Sequence, residues 1–258
     1  MPRVLPVLKL LALAYLLVML VAFALQRRLL YFPTPAPGEV RAAETRFAVG
    51  GLELRGWAVR PDAEDAVLYF GGNAEAVEAS LPFLAAAAAP RAVHVVPYRG
   101  YSGNPGRPSE AALVADALAV FDELARRHRR VAVVGRSLGS GVAAAVAAQR
   151  PVERLVLVTP FDSVLNLARR QFPFLPLGLV LRDRFDSARR APGLGMPVLV
   201  VRAGRDRVVP RRSTEALLAA LPQATTELVE IEAADHNDLS SFPSYGEAMS
   251  SFLRPAED

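Results

Sequence analysis

The pentapeptide Gly135-Arg136-Ser137-Leu138-Gly139 constrains this chain more than any other feature. It stands directly behind the apolar run 131–134 and directly ahead of the helix-prone stretch 142–148. Strand, sharp turn and helix in that order hold a serine in strained backbone geometry with its hydroxyl raised at the strand end. The flanking glycines answer a close approach of strand and helix that leaves no room for a Cβ. Ser137 is therefore the candidate nucleophile, and a serine hydroxyl is a poor nucleophile until a base takes its proton.

Three histidines are available. His94 lies in a short β-like apolar run, 92–96, and reads as a half-buried strand residue. His128 sits in the basic run 126–130, read as a solvated helix terminus, where a proton acceptor would be surrounded by like charge. His236 follows the strand-like segment 228–231 in a loop, Asp235-His236-Asn237-Asp238, that can reach over the carboxyl edge of a sheet. The imidazole in turn needs an orienting carboxylate. Asp206 fits, at the end of a tight Ala203-Gly204-Arg205 turn after the buried-strand pattern 198–201; Asp162, one strand earlier, is its rival. Asp235 and Asp238 read as loop charges, with Asp238 placed to help hold the histidine loop.

A developing oxyanion needs donors. The backbone N–H of Leu138, opening the helix after the nucleophile, is one. The second is assigned to the N–H of Asn73, in the Gly71-Gly72-Asn73 turn between the apolar run 67–70 and a helix-like stretch 74–89. Arg99 and Arg136 read as structural hydrogen-bond donors, with an anionic substrate group as the alternative partner.

These residues resemble the α/β-hydrolase superfamily, and within it a membrane-anchored subgroup of eukaryotic depalmitoylating hydrolases and their bacterial relatives. The likeness covers nearly the whole chain. Besides the serine motif it is carried by Tyr69-Phe70-Gly71-Gly72-Asn73-Ala74, by Pro97-Tyr98-Arg99-Gly100-Tyr101-Ser102-Gly103 with Pro108-Ser109-Glu110, and by the Asp235 to Asp238 loop. The subgroup usually has a histidine where this chain has Gly71, and the chain lacks a cysteine-rich loop, as a bacterial relative would. The resemblance implies an α/β-hydrolase fold: a mostly parallel sheet with helices on both faces. It also implies a serine hydrolase that cleaves an ester, thioester or similar acyl bond through an acyl-enzyme, without a cofactor. A peptidase, an acyltransferase or a non-catalytic binding protein on the same fold are the other readings.

Before the linker, residues 4–25 are apolar except for Lys9, enough as helix to cross a hydrocarbon core of about 30 Å. Arg27 and Arg28 are expected to close the segment, and Tyr31 and Phe32 to sit at the membrane interface. Residues 1–30 thus read as an N-terminal membrane anchor, or as a signal peptide cut after Ala22-Phe23-Ala24. Arg3, Lys9 and the amino terminus slightly outweigh Arg27 and Arg28, which favours an extracytoplasmic catalytic domain. Residues 31–44 form a Pro-rich linker. The hydrolase domain follows over 45–258, opening with a hairpin at Gly50-Gly51, and 161–196 is either a small cap or a segment packed on the core. With no cysteine there is neither a disulfide nor a thiolate nucleophile, and three scattered histidines make no metal cluster. The net charge of +4 comes from dispersed arginines and marks no nucleic-acid module. The expected partners are an acyl substrate, small or lipid-like, and the membrane.

Overall fold

The computed structural model describes residues 4–255. Eight strands form one sheet: β1 Ala43–Val49, β2 Leu52–Val59, β3 Asp65–Phe70, β4 Ala92–Val95, β5 Arg130–Arg136, β6 Leu155–Val158, β7 Val198–Ala203 and β8 Thr226–Ile231. The order is β1-β2-β4-β3-β5-β6-β7-β8. β1 and β2 form the antiparallel hairpin and β2 runs antiparallel to β4; every later pairing is parallel. The helices are α1 Val4–Leu30, α2 Leu81–Ala87, α3 Glu110–Arg127, α4 Leu138–Ala147, α5 Val164–Gln171, α6 Leu177–Val180, α7 Ser187–Arg190, α8 Arg211–Ala220 and α9 Pro243–Leu253.

The central strands read as unbroken apolar runs because both faces are covered. Along β5, Val131 and Val133 pack on the face covered by α3, α4 and α8, whereas Ala132 and Val134 pack on the face covered by α2 and α9. Strand order reverses between β3 and β5, since β4 lies outside β3. The crevice at the carboxyl ends of these two strands is where an open α/β sheet has room for a ligand.

The first helix runs past Arg27 and Arg28 to Leu30, before the prolines Pro33 and Pro35. Three expectations change. Tyr31 is not interfacial: it is 3% exposed, and its hydroxyl donates to Asp183 Oδ2 at 3.1 Å, because a phenol can bury its ring where its O–H finds a carboxylate. His128 is not solvated either. It turns inward at the end of α3 and meets His94, Nε2 to Nε2 at 3.0 Å, while Arg126 and Arg127 pair with Glu123 outside. His94 itself is fully buried rather than half-buried.

Segment 161–196 divides its contacts. Its ends pack on the core through Phe161, Val164, Phe185 and Leu194. Its middle, including α6, lies against α1: Gln26 Nε2 donates to Val180 O, Gln26 Oε1 accepts from Arg182 N, and Arg27 pairs with Asp183 at 3.0 Å.

Candidate active site

Ser137 sits between β5 and α4 at φ 50°, ψ −117°, a strained conformation for a residue with a side chain. Its neighbours explain why it is tolerated. A Cβ on Gly139 would overlap the carbonyl oxygen of Phe70, and one on Gly135 would overlap that of Gly139. Glycine at both positions lets α4 close onto β3 and β5. Backbone bonds fix the turn: Ser137 N donates to Val158 O at 2.9 Å, and Ser140 donates to Ser137 O from both its N–H and its hydroxyl.

The loop after β8 brings His236 to this turn, with Nε2 3.0 Å from Ser137 Oγ. On the other side of the ring Nδ1 lies 2.7 Å from Asp206 Oδ2. A carboxylate can only accept here, so Nδ1 carries the proton and Nε2 is left facing the serine as an acceptor. Asp206 keeps Oδ2 free for that bond because its Oδ1 is taken by the N–H groups of Val208 and Val209. Asp235 and Asp238 steady the histidine loop: Asp235 Oδ1 accepts His236 N at 2.7 Å, and Asp238 Oδ1 accepts Asp235 N at 2.7 Å. Asp162 is engaged elsewhere, buried, with its two oxygens bonded to Ser213 and Asn166.

Beside Ser137, the N–H of Leu138 begins α4 and has no acceptor within that helix. Across the crevice Gly72 N–H is committed to Glu75 Oε2 at 2.6 Å, and Asn73 follows it in the loop. The absence of a histidine at Gly71 has a steric reason, since a Cβ there would run into Val77. The loop is held by other groups. Tyr98 donates to Gly71 O at 2.7 Å, Tyr101 donates to Asn73 Oδ1 at 2.7 Å, and Asn73 Nδ2 donates to Leu30 O.

Glu75 is the supporting residue that sequence reasoning passed over. It accepts from Gly72 N, Tyr69 O–H, Ser80 O–H and Arg136, while Arg136 also donates to His236 O at 3.0 Å and Asn237 Oδ1 at 2.8 Å. Burial by itself would raise the Glu75 pKa, but Arg136 and the three hydrogen bonds outweigh it and hold the carboxyl below its usual range. One buried ion pair thus ties the Gly72 loop to the histidine loop. The only sequence signal for it was an acid and an arginine flanking two proposed site motifs. Arg99 is likewise engaged internally, donating to Asp116 Oδ2 at 2.7 Å.

A cleft of about 390 Å³ adjoins this cluster, lined by Glu75 and Arg136 together with Phe83, Leu84 and Tyr245. Among the described residues no group of three or more His, Asp or Glu side chains is arranged to hold a metal ion.

A serine on a sharp turn after the fifth strand, an aspartate after the seventh and a histidine after the eighth are arranged as in an α/β hydrolase. The sequence profile of the Alpha/beta hydrolase family matches residues 56–196, and the chain belongs to that family. It is 36% identical over 254 residues to the uncharacterised protein Rv2307c of Mycobacterium tuberculosis, covering 92% of this chain and 89% of that one. It is 27% identical to the protein bem46 of Schizosaccharomyces pombe over 75% of this chain and 68% of the relative. Among solved structures, the esterase Pf2001 of Pyrococcus furiosus superposes with a TM-score of 0.70 at 16% identity, over 87% of this chain and all of that one, which is a likeness of fold.

Proposed function

We propose that this protein is a membrane-anchored serine hydrolase that cleaves an ester, thioester or related acyl bond. The observation that carries the reading is the hydrogen-bonded line from Asp206 through His236 to Ser137 at the carboxyl edge of the sheet. Ser137 Oγ attacks the acyl carbonyl carbon while His236 Nε2 takes the hydroxyl proton, and Asp206 stabilises the imidazolium and fixes its orientation. The oxyanion rests on the N–H groups of Leu138 and Asn73. Collapse expels the alcohol or thiol, which leaves with the proton from His236. Water, deprotonated by the same histidine, then attacks the acyl-enzyme, and the carboxylic acid departs as Ser137 regains its proton. Tyr98, Tyr101, Glu75 and Arg136 hold the loops at their working distance.

The anchor is α1, of which residues 5–30 are long and apolar enough to cross a bilayer. The extracytoplasmic orientation rests partly on Arg3 and the amino terminus, which lie outside the described residues.

A fluorophosphonate probe tests the reaction. The folded wild-type protein should be labelled, Ser137→Ala should not, and Ser137→Ala should lose at least about 10³-fold in short-chain ester hydrolysis with little change in melting temperature. Labelling or turnover that survives in Ser137→Ala would overturn the assignment. Carbonate washing tests the anchor: the full chain should stay with the membrane.

A further inference from the structure

The segment between Phe172 and Leu181 exposes its largest apolar side chains, Phe174 at 88% and Leu179 at 86%, with Phe172 half exposed. Isolated exposed leucines need no explanation. This group is different because it is continuous with the bare apolar surface of α1, to which its backbone is bonded at two levels. Val180 O accepts from Gln26 Nε2, and Phe174 O accepts from Tyr15 O–H at 3.1 Å. The rise along α1 from Gln26 to Tyr15 is about 16 Å, roughly half of a hydrocarbon core of about 30 Å. With Arg27 and Arg28 at the headgroups, the tip at Phe174 therefore lies near mid-bilayer depth.

We propose that residues 172–181 are a second membrane-embedded element, seated beside α1, which sets the mouth of the active site on the leaflet surface so that it takes acyl substrates from within the lipid. The proposal rests on the reading of α1 as an anchor. Three features support it. First, irregular backbone survives in lipid only if its polar groups are satisfied internally. Here Pro173 and Pro176 carry no N–H, and the N–H groups of Phe172, Leu175, Leu177, Leu179 and Leu181 all have backbone acceptors. The carbonyls of Phe174 and Val180 are capped from α1, and that of Gly178 by Arg184. Second, cationic side chains gather where the segment leaves the helix. Arg182 lies over the Phe23 ring at 4.2 Å, about one helical turn before Arg27, which pairs with Asp183, and exposed Arg28, so that this end of the helix carries more cations than acids and suits anionic headgroups. Third, the loop proposed to hold the oxyanion begins at the end of that same helix, since Asn73 bonds Leu30 O and Phe32 N. An acyl chain has only to rise out of its leaflet to reach that loop.

The chain has no cysteine, so single reporters are unambiguous. Phe174→Cys, Leu179→Cys, Leu10→Cys on α1 and Glu227→Cys on β8 would each be labelled with an environment-sensitive fluorophore. The full chain would then be reconstituted in phosphatidylcholine–phosphatidylglycerol vesicles carrying doxyl-labelled lipid, with iodide as the aqueous quencher. The expected result is doxyl quenching at positions 174, 179 and 10, and iodide quenching at 227 alone. Iodide quenching at 174 and 179 with doxyl quenching at 10 overturns the proposal and leaves the anchor standing; iodide quenching at 10 removes both. Shielding of 174 and 179 from both quenchers means that a second copy covers the segment, which also overturns the proposal. In a second measurement, Phe174→Asp with Leu179→Asp should lower hydrolysis of a vesicle-embedded long-chain ester at least tenfold and leave a dissolved short-chain ester within twofold. Equal loss on both esters overturns the interfacial role, whereas a wild-type protein inert on both would refute the hydrolase reading without touching the depth measurement.

Discussion

The side-chain amide of Asn73 donates to the carbonyl oxygen of Leu30, the last residue of α1, while its oxygen accepts Phe32 N at 3.0 Å. The loop proposed to stabilise the oxyanion is thereby tied to the end of the apolar helix. Residues 31–44 are thus no free linker: Tyr31 is buried, and Thr34 O accepts from Ser102 N at 2.9 Å in the Tyr98 to Gly103 loop.

Truncation should reveal that tie. A chain beginning at Gln26 keeps Arg27, Leu30, Tyr31 and Phe32 and should hydrolyse a short-chain ester within about twofold of the full chain. One beginning at Pro33 loses the partners of Asn73 and Asp183. Each lost hydrogen bond is worth about 1 kcal/mol net, so kcat/KM should fall about tenfold and the melting temperature with it. Equal activity of the two chains would show that the loop holds its geometry unaided.

The two candidate acids should separate by mechanism. Asp206→Asn removes the acceptor that fixes the His236 tautomer, so hydrolysis should drop by about 10³- to 10⁴-fold with the fold intact. Asp162→Asn unbalances a buried cluster with Ser213 and Asn166, and should cost stability of about 1–3 kcal/mol in a denaturant melt while the rate falls far less. A larger rate loss in Asp162→Asn would transfer the role.

Arg136→Met should be costlier than its modest exposure implies. It strands the buried Glu75 carboxylate, for which about 3 kcal/mol of destabilisation is expected. Adding Glu75→Gln should recover part of that loss, a coupling read from the double-mutant cycle. The Glu75 pKa is lowered on folding, so its contribution is complete above the ordinary value of 4.5 and disappears as pH falls through the folded value. Acid melts of Glu75→Gln should accordingly be flatter than those of wild type below that pH.

His94 gives a second pH effect. Burial, with His128 and Arg127 nearby, lowers its pKa from 6.5 to about 3. Between those values the unfolded chain binds a proton that the folded chain refuses, so stability is complete above 6.5 and declines on acidification, by at most about 1.4 kcal/mol per pH unit. His94→Gln keeps a donor toward His128 but cannot titrate. Its melting temperature should change less between pH 7 and pH 5 than that of wild type.

Much of the fold was legible because its signals are local. Continuous apolar runs marked the parallel strands, and Gly50-Gly51 marked the hairpin turn. The pattern of Gly135, Ser137 and Gly139 specified a turn whose strain is visible in the Ser137 backbone. Ser137, His236, Asp206 and the Gly71 to Asn73 turn could be proposed as neighbours because each follows a strand, and parallel strands deliver their carboxyl ends to one edge. The reading of Tyr31 and His128 failed for one reason: a polar tip looks solvent-bound until a distant partner is known, and those partners, Asp183 and His94, lie far away in the chain.

The sequence by itself determined the strand–turn–helix around Ser137, the order in which acid and histidine follow it, and the apolar length of α1, because periodicity, turn chemistry and hydropathy act over a few residues. Tertiary structure alone decided that Asp206 and not Asp162 faces His236, that Glu75 and Arg136 join two loops, and that residues 172–181 lie along α1. Each of these depends on which side chains packing brings within about 3 Å, a distance that hydrogen bonding requires and sequence spacing does not encode.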